Sequence, residues 1–183
     1  MIIKVLDNGI ILPEVASKYS AGVDLRVTSF KKLYKGCREV DISKLDNSIK
    51  NGYFTLRGHE RVLCGTGLFI ELPIGTYLSI IPRSGVALKR GLTVVNSPGT
   101  IDSDYRNEVG IIIINTTPYL NRIEMNERLA QAILLSHIPI EWELVNKLSE
   151  IDRGGGYGST GTSWYKGQLS FLQSGYIRTE RFL

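Results

Sequence analysis

The pattern of short apolar runs separated by polar turn signals indicates a chain in which β-strands dominate. Ten runs rich in β-branched and aromatic residues are separated by glycine, proline and asparagine turn signals. The predicted strands are Ile2–Leu6, Val23–Val27, Tyr53–Leu56, Arg61–Cys64, Leu68–Leu72, Tyr77–Ile81, Leu92–Val95, Glu108–Asn115, Leu129–Leu135 and Ile138–Val145. This spacing is typical of an all-β sandwich or barrel and not of βαβ units. A single helical turn is predicted at Gly85–Lys89.

The segment 92–115, LTVVNSPGTIDSDYRNEVGIIIIN, has a polar, turn-rich centre between two predicted strands. Pro98–Gly99 predicts a bend, because proline fixes φ and glycine tolerates positive φ. Asp102, Asp104 and Tyr105 follow within four positions. A carboxylate at a strand edge can activate water, and a nearby ring can stack on a planar ligand. An ordinary hairpin with solvated acids is the alternative, and this segment alone leaves both open.

Length and composition restrict the classes of protein. The 183 residues suit one domain with a core, expected here over residues 1–161. No apolar run approaches the roughly 20 residues of a membrane span. The N-terminus lacks signal-peptide features, so a cytoplasmic location (host cytoplasm for a viral protein) is expected. Cys37 and Cys64 favour reduced thiols, and His59 and His137 lack metal-ligand spacing.

The net charge of +4 raises the question of nucleic-acid binding. The excess of basic residues lies in residues 31–50 and 164–183, and the remainder is slightly acidic. A central basic stripe, as duplex binding needs, is therefore not predicted. Segment 31–52 resembles an insertion, and segment 162–183 is rich in aromatics and suggests a docking extension. Either could recruit a protein partner.

Two of four further motifs precede the polar segment. SAGVDL, residues 20–25, places Asp24 at a strand entry, where a solvated side chain is the alternative. PRSG, residues 82–85, opens the helical turn with a planar guanidinium donor, a hydroxyl and free N–H groups. Such a combination suits an anion, although a simple capped turn is the alternative.

The other two motifs follow the polar segment. NERLAQAIL, residues 126–134, interrupts an apolar strand with Arg128 and Gln131, which would otherwise lie on the solvent face. DRGGGYGSTG, residues 152–161, has successive glycine N–H groups that form anion-binding concavities. It lacks the GK[ST] of a Walker A loop, and a flexible linker is the alternative.

All five motifs in this order resemble the trimeric dUTPase family, over about residues 5–161. The resemblance implies a β-sandwich of the jelly-roll-like, β-clip type in a homotrimer with shared active sites. It implies Mg²⁺-assisted hydrolysis of dUTP to dUMP and pyrophosphate, which lowers dUTP and supplies dUMP. A dCTP deaminase-like or bifunctional enzyme, or a regulatory protein of the same fold, is the alternative. Neither nucleic acid nor membrane is an expected partner.

The resemblance also assigns roles to individual residues. Asp102 activates the attacking water, and Asp24 and Gln131 act through waters around a Mg²⁺ held mainly by the triphosphate. The residues expected to bind substrate are Arg83, Ser84, Gly85, Asn96, Gly99, Thr100, Ile101, Tyr105, Arg153, Tyr157, Gly158, Ser159 and Thr160. The glycine-rich arm, residues 152–161, is one residue shorter than the common family spacing. Asn107 and Asn126 stand where the family usually has glycine.

Overall fold

Twelve strands and one short helix form the part of the chain that the computed structural model describes, residues 2–42 and 51–150. The strands are β1 Lys4–Val5, β2 Val23–Arg26, β3 Ser29–Lys35, β4 Arg38–Val40, β5 Tyr53–Leu56, β6 Arg61–Glu71, β7 Thr76–Pro82, β8 Leu92–Val94, β9 Gly99–Ile101, β10 Glu108–Asn115, β11 Asn121–Glu124 and β12 Arg128–Ser136. The helix, α1, spans Ser84–Arg90 and ends at Gly91 in the left-handed conformation. The prediction of an all-β fold with at most one short helix is confirmed.

The strands form three antiparallel sheets. The largest has the order β4-β3-β6-β10-β8, with β1 also paired to β6. The second has the order β2-β12-β7-β9, and β11 pairs with β5 in a two-stranded sheet. The chain divides into two units, residues 1–140 and 141–183, and all of these elements belong to the first. Within the described part of the second unit, Lys147 pairs with Glu150 at 3.0 Å.

The core follows the two-residue period of the strands. Along β10, Val109, Ile111 and Ile113 are fully buried, while Gly110 and Ile112 face the other side of the sheet. Burial of each such aliphatic side chain contributes roughly 1.5–3 kcal/mol. No helix among the described residues is long and apolar enough to cross a membrane.

Two strand predictions need correction. The runs Arg61–Cys64 and Leu68–Leu72 are one strand, β6, because its glycines accommodate an irregular register instead of a turn. Gly67 has a φ of 73°, a conformation that glycine adopts without steric cost. The predicted strand Ile138–Val145 is wrong, since residues 137–145 have no strand conformation. Pro139 lacks the N–H that a strand ladder requires.

Segment 31–52 begins inside the large sheet. Residues up to Val40 complete the β3–β4 hairpin, which pairs with β6, and Leu33 is only 1% exposed. Phe30 stacks on Phe54 with ring centroids 4.9 Å apart. The first part of this segment is therefore part of the sheet and not an added appendage. Residues 43–50 lie outside the described residues.

The end of β10 is held by a buried amide side chain. Asn115 is fully buried and donates from Nδ2 to the carbonyls of Leu56 and Tyr119, at 3.1 and 2.7 Å. Its Oδ1 accepts hydrogen bonds from the N–H and hydroxyl of Thr117 and from Asn121 Nδ2. Every polar atom of this side chain is thus satisfied, as burial requires.

Candidate active site

The segment 92–115 passes from one sheet to the other and back. Strand β8 pairs with β10 in the large sheet, while β9 between them pairs with β7 in the four-stranded sheet. The predicted bend at Pro98–Gly99 is where the chain crosses. The two flanking strands were predicted, but a third strand in the polar centre was not. β9 is an edge strand of the four-stranded sheet and pairs only with β7 among the described strands. The outer edge of its backbone is therefore available for a ligand.

A cavity of about 500 Å³ opens beside this crossing. It lies within the size range of small-molecule sites. All six residues that the sequence predicts in this region line it, namely Asn96, Gly99, Thr100, Ile101, Asp102 and Tyr105. The predicted grouping around segment 92–115 is therefore present in the structure. Asp104, exposed to solvent, is not among the lining residues.

Two facing glycines keep the cavity open. Gly65 of β6 and Gly110 of β10 are register partners, and both line the cavity. A Cβ atom on Gly110 would lie 2.8 Å from Leu63 Cδ1, and one on Gly65 would lie 2.4 Å from Glu108 Oε1. Side chains at these positions would fill the space, so the cavity depends on this pair.

The turn after β9 orders the rim of the cavity. The N–H of Tyr105 donates to the carbonyl of Asp102 at 3.2 Å, and the Tyr105 hydroxyl donates to the carbonyl of Glu108 at 3.0 Å. The ring is therefore held at both ends. Asp102 itself is exposed at the end of β9, where its carboxylate can meet water.

A second cluster gathers the residues of three other motifs. Asp24 on β2 and Gln131 on β12 are register partners. Arg83 Nε lies 2.8 Å from Asp24 Oδ1, and Arg128 Nη1 lies 3.2 Å from Asp24 Oδ2. Gln131 Nε2 donates to the carbonyl of Pro82 at 2.9 Å. Two guanidinium groups against one carboxylate leave a positive excess, which suits an anionic ligand.

The start of α1 adjoins this cluster. Ser84 and Gly85 are exposed and precede Val86 and Ala87, whose N–H groups donate to the carbonyl of Arg83. A Cβ atom on Gly85 would meet no atom within 4 Å. The described residues therefore give no steric reason for a glycine at this helical position.

Within one chain the cavity and the arginine cluster are separate. β2 and β9 form opposite edges of the four-stranded sheet, with β12 and β7 between them. Three strand spacings amount to about 14 Å. Asp24 lines other surface depressions and not the cavity. A single copy thus presents Asp24 and the cavity as separate features of the four-stranded sheet.

The donor set of the cluster bears on the expected Mg²⁺. Among the described residues, no group of three or more His, Cys, Asp or Glu side chains could hold a metal ion. Asp24 is already paired with two arginines, and Gln131 adds one amide oxygen. This set cannot hold a bare ion, but it fits a hydrated Mg²⁺ that a polyphosphate carries, since Mg²⁺ keeps several waters.

The structure adds residues to the candidate site, and it does not describe some of the residues that the sequence predicted there. Arg128, which belongs to the fourth motif but was assigned no role from the sequence, pairs with Asp24. Lys31, which lies outside all five motifs, and Glu108, to which the sequence assigned no role, also line the cavity. The arm residues Arg153, Tyr157, Gly158, Ser159 and Thr160 lie outside the described residues.

Fold and site together define an all-β protein with a nucleotide-sized cavity and a separate cationic cluster. A sequence profile of the dUTPase family matches residues 45–164. The chain belongs to the dUTPase family, as its five motifs predicted. The deoxyuridine 5′-triphosphate nucleotidohydrolase of Treponema denticola is 40% identical over 157 residues, which are 85% of this chain and 94% of that protein.

Solved structures support the fold. The dUTPase of Staphylococcus bacteriophage 80alpha with dUPNHPP has a TM-score of 0.65 at 22% identity, over 87% of this chain and 97% of that one. A dUTPase from phage phi11 of S. aureus, described with a structural Mg(II) ion, has a TM-score of 0.59 at 19% identity, over 80% and 96%. The predicted β-sandwich architecture of the dUTPase type is confirmed.

Proposed function

We propose that this chain hydrolyses dUTP to dUMP and pyrophosphate, with Mg²⁺ bound mainly by the triphosphate, so that it lowers dUTP and supplies dUMP. The observation that carries the proposal is the cavity in which Asn96, β9, Asp102 and Tyr105 meet. Similarity to a deoxyuridine 5′-triphosphate nucleotidohydrolase over 85% of the chain supports the same reaction.

The cavity divides recognition between the base and the sugar. The amide of Asn96 and the unpaired backbone edge of β9 pair with the uracil edge, which carries both a donor and acceptors. Gly99 is buried beside Ile80, and a Cβ atom there would already lie 3.4 Å from Ile80 Cβ and 3.3 Å from Asn96 Nδ2. This close packing leaves little room for a 5-methyl group. The Tyr105 ring, tethered through its hydroxyl, packs against the deoxyribose and excludes a 2′-hydroxyl.

Asp102 acts as the general base. Its exposed carboxylate accepts a proton from a water whose oxygen attacks the α-phosphorus. The new P–O bond forms as the bond from the α-phosphorus to the bridging oxygen breaks, and pyrophosphate leaves with the bonding electrons. Asp102 then returns the proton to solvent. Mg²⁺ supplies charge neutralisation on the phosphates.

The arginine cluster and α1 bind the phosphates. Arg83 is held in place by Asp24 and by its bond to the carbonyl of Arg128 at 2.7 Å, so its guanidinium is pre-ordered. Ser84 donates toward the leaving oxygen, and the bare Cα of Gly85 lets a phosphate approach closely. Asp24 and Gln131 would hold a hydrated Mg²⁺ through its water ligands.

We infer that the complete site is shared between copies in a homotrimer. The roughly 14 Å between β2, which carries Asp24, and β9, which lines the cavity, supports this arrangement. The arginine cluster of one copy then lies next to the cavity of another copy. Arg153, Tyr157, Gly158, Ser159 and Thr160 remain the residues expected to bind the γ-phosphate and the base. The measured mass in solution tests the trimer.

The decisive experiment measures pyrophosphate release from dUTP, dTTP, dCTP and UTP with Mg²⁺. A clear preference for dUTP is expected, and equal rates would refute the proposal. Asp102→Asn should abolish turnover and spare binding of a non-hydrolysable dUTP analogue. Asp104→Asn, two positions away and outside the cavity, is the matched control and should keep wild-type turnover. Ammonia release from dCTP would indicate a deaminase instead.

A further inference from the structure

An ion pair in the lining of the cavity has no role in the reaction described above. Lys31 Nζ lies 3.0 Å from Glu108 Oε2, and both residues line the cavity. The Glu108 side chain is 20% exposed and that of Lys31 is 45% exposed. The pair joins β3 to β10 across β6, three strands that are distant in sequence.

Two irregularities in strand register bring the pair together. In β3, Phe30 is opposite Cys64 and Lys32 is opposite Leu63, so Lys31 is an extra residue in a bulge. The bulge explains why Phe30 and Leu33, three positions apart, both pack on the core. A bulge of this kind redirects a side chain, and here it turns Lys31 toward the cavity.

The second irregularity lies between β10 and β6. Glu108 is opposite Phe69 and Gly110 is opposite Gly65, so β6 has three residues where β10 has only Val109. The N–H of Gly67, within this widened part of β6, donates to Glu108 Oε1 at 2.8 Å. One carboxylate thus fixes two irregular strand segments at once.

Gly65 leaves the room that the pair needs. A Cβ atom at this position would lie 2.4 Å from both Glu108 Oε1 and Ser29 Oγ, and 2.7 Å from Lys31 Cε. The Ser29 hydroxyl is buried and has no hydrogen-bond partner among the described residues. Any side chain at position 65 would therefore displace the pair.

The pair is coupled to the sugar-facing ring through the main chain. The Tyr105 hydroxyl donates to the carbonyl of Glu108, and the Tyr105 N–H donates to the carbonyl of Asp102. Fixing Glu108 from both sides therefore fixes the acceptor that orients the ring. Loss of the pair would let the start of β10, and with it the ring, move away from the cavity.

We propose that Lys31 and Glu108 are positioning residues that hold Tyr105 against the sugar and thereby set the preference for deoxyribose over ribose nucleotides. The inference rests on the proposed dUTP hydrolysis. It concerns a pair to which the five motifs assign no role, and Lys31 comes from the segment that the sequence suggested was an insertion.

The test compares kcat and KM for dUTP and UTP in Lys31→Met, Lys31→Arg and wild type. For Lys31→Met, KM for dUTP should rise, and the ratio of kcat/KM for dUTP over UTP should fall about tenfold, the factor expected for one charge-assisted hydrogen bond. Lys31→Arg should restore the ratio. Lys32→Met is the matched control, because Lys32 pairs with Glu39 outside the cavity and should leave both constants unchanged.

A double-mutant cycle tests the coupling. Glu108→Gln keeps the shape of the side chain and should reproduce the Lys31→Met effect. The double variant should be no worse than either single variant, because both remove the same interaction. Additive effects, an unchanged dUTP-to-UTP ratio, or a fall in kcat alone would overturn the proposal. If thermal unfolding shows that Lys31→Met is not folded, the comparison of Lys31→Arg and Glu108→Gln still tests the proposal.

A binding measurement separates this inference from the proposed function. Calorimetric titration with dUMP and UMP needs no turnover and reports sugar discrimination directly. If wild type binds dUMP more tightly than UMP and Lys31→Met loses the difference, the inference holds whatever the turnover assay shows. If wild type releases pyrophosphate from dUTP and Lys31→Met keeps the binding difference, only the inference fails.

Discussion

Two glycine-to-alanine substitutions should change stability in opposite directions. Gly85 is the second residue of α1, and an added Cβ would meet no atom within 4 Å. Alanine in a helix is more stable than glycine by about 0.5–1 kcal/mol, because the unfolded glycine has more freedom to lose. Gly75 also has open space around its Cα, but its φ of 82° lies in the left-handed region. Alanine there costs about 1–2 kcal/mol.

Thermal unfolding followed by circular dichroism measures both effects. About 1 kcal/mol moves the Tm of a domain of this size by roughly 2–4 °C, so the Tm of Gly85→Ala should exceed that of Gly75→Ala by at least about 3 °C. The two variants must be compared at one protein concentration, because the Tm of an oligomer depends on it. Pyrophosphate release from dUTP should fall in Gly85→Ala, since the methyl group occupies the approach of a phosphate, and should remain unchanged in Gly75→Ala.

The activity of Gly85→Ala shows whether glycine is required at this position so that a phosphate of the substrate can approach the helix. A variant that is more stable and equally active would refute the role of Gly85 in phosphate approach. A variant that is less stable would mean that the position packs against another copy of the chain. A Gly75→Ala variant as stable as wild type would refute the argument from backbone conformation.

Three further predictions concern the core, the thiols and pH. Asn115→Leu should lower the free energy of unfolding in urea by about 3 kcal/mol or more, because several buried groups lose their partner, and a change below about 1 kcal/mol would contradict this. Burial raises the pKa of Cys64 to about 12, so alkylation of the native protein at pH near 8 should modify only the exposed Cys37, as one adduct by mass spectrometry, and both thiols in denaturant. Burial would raise the pKa of Glu108, but its hydrogen bonds and the charge of Lys31 outweigh this and lower it below 4.5. The ionised Glu108 therefore stabilises the folded state above pH 4.5, and this contribution is lost as the pH falls through the pKa of the folded state. Without the charge of Lys31 that pKa is higher, so Lys31→Met should begin to lose stability at a higher pH than wild type in titrations between about pH 3 and 6.

Local sequence predicted those strands that are runs of β-branched and aromatic residues between turn signals. The bounds of β5 and β10 match the predicted Tyr53–Leu56 and Glu108–Asn115, because both runs have this composition and these boundaries. The cavity residues from Asn96 to Tyr105 were also predictable, since they are contiguous along the chain.

Features that depend on register could not be predicted in the same way. β3 was missed because its lysines hide the apolar pattern and because its bulge changes the spacing of Phe30 and Leu33. The glycines of β6 suggest a turn, and only its pairing with β10 shows that they form an irregular strand. The Lys31–Glu108 pair needs both irregularities, so no short motif contains it.

One departure from the family pattern has a local explanation in the structure. Asn126 stands where the family usually has glycine, and its φ is 63°. Asparagine tolerates the left-handed region better than most residues, so the turn before β12 is retained. The backbone conformation therefore accounts for asparagine in place of glycine at this position.

The crossing of segment 92–115 between two sheets has a consequence for folding cooperativity. β9 pairs with β7, whereas its neighbours β8 and β10 pair with each other in the other sheet. The cavity therefore does not form in a locally folded hairpin and exists only when both sheets have formed. A nucleotide that binds there favours the fully folded domain over every partly folded form. Those amide hydrogens of β9 that are paired with β7 should consequently exchange mainly through global unfolding, and bound nucleotide should slow their exchange along with that of the core strands.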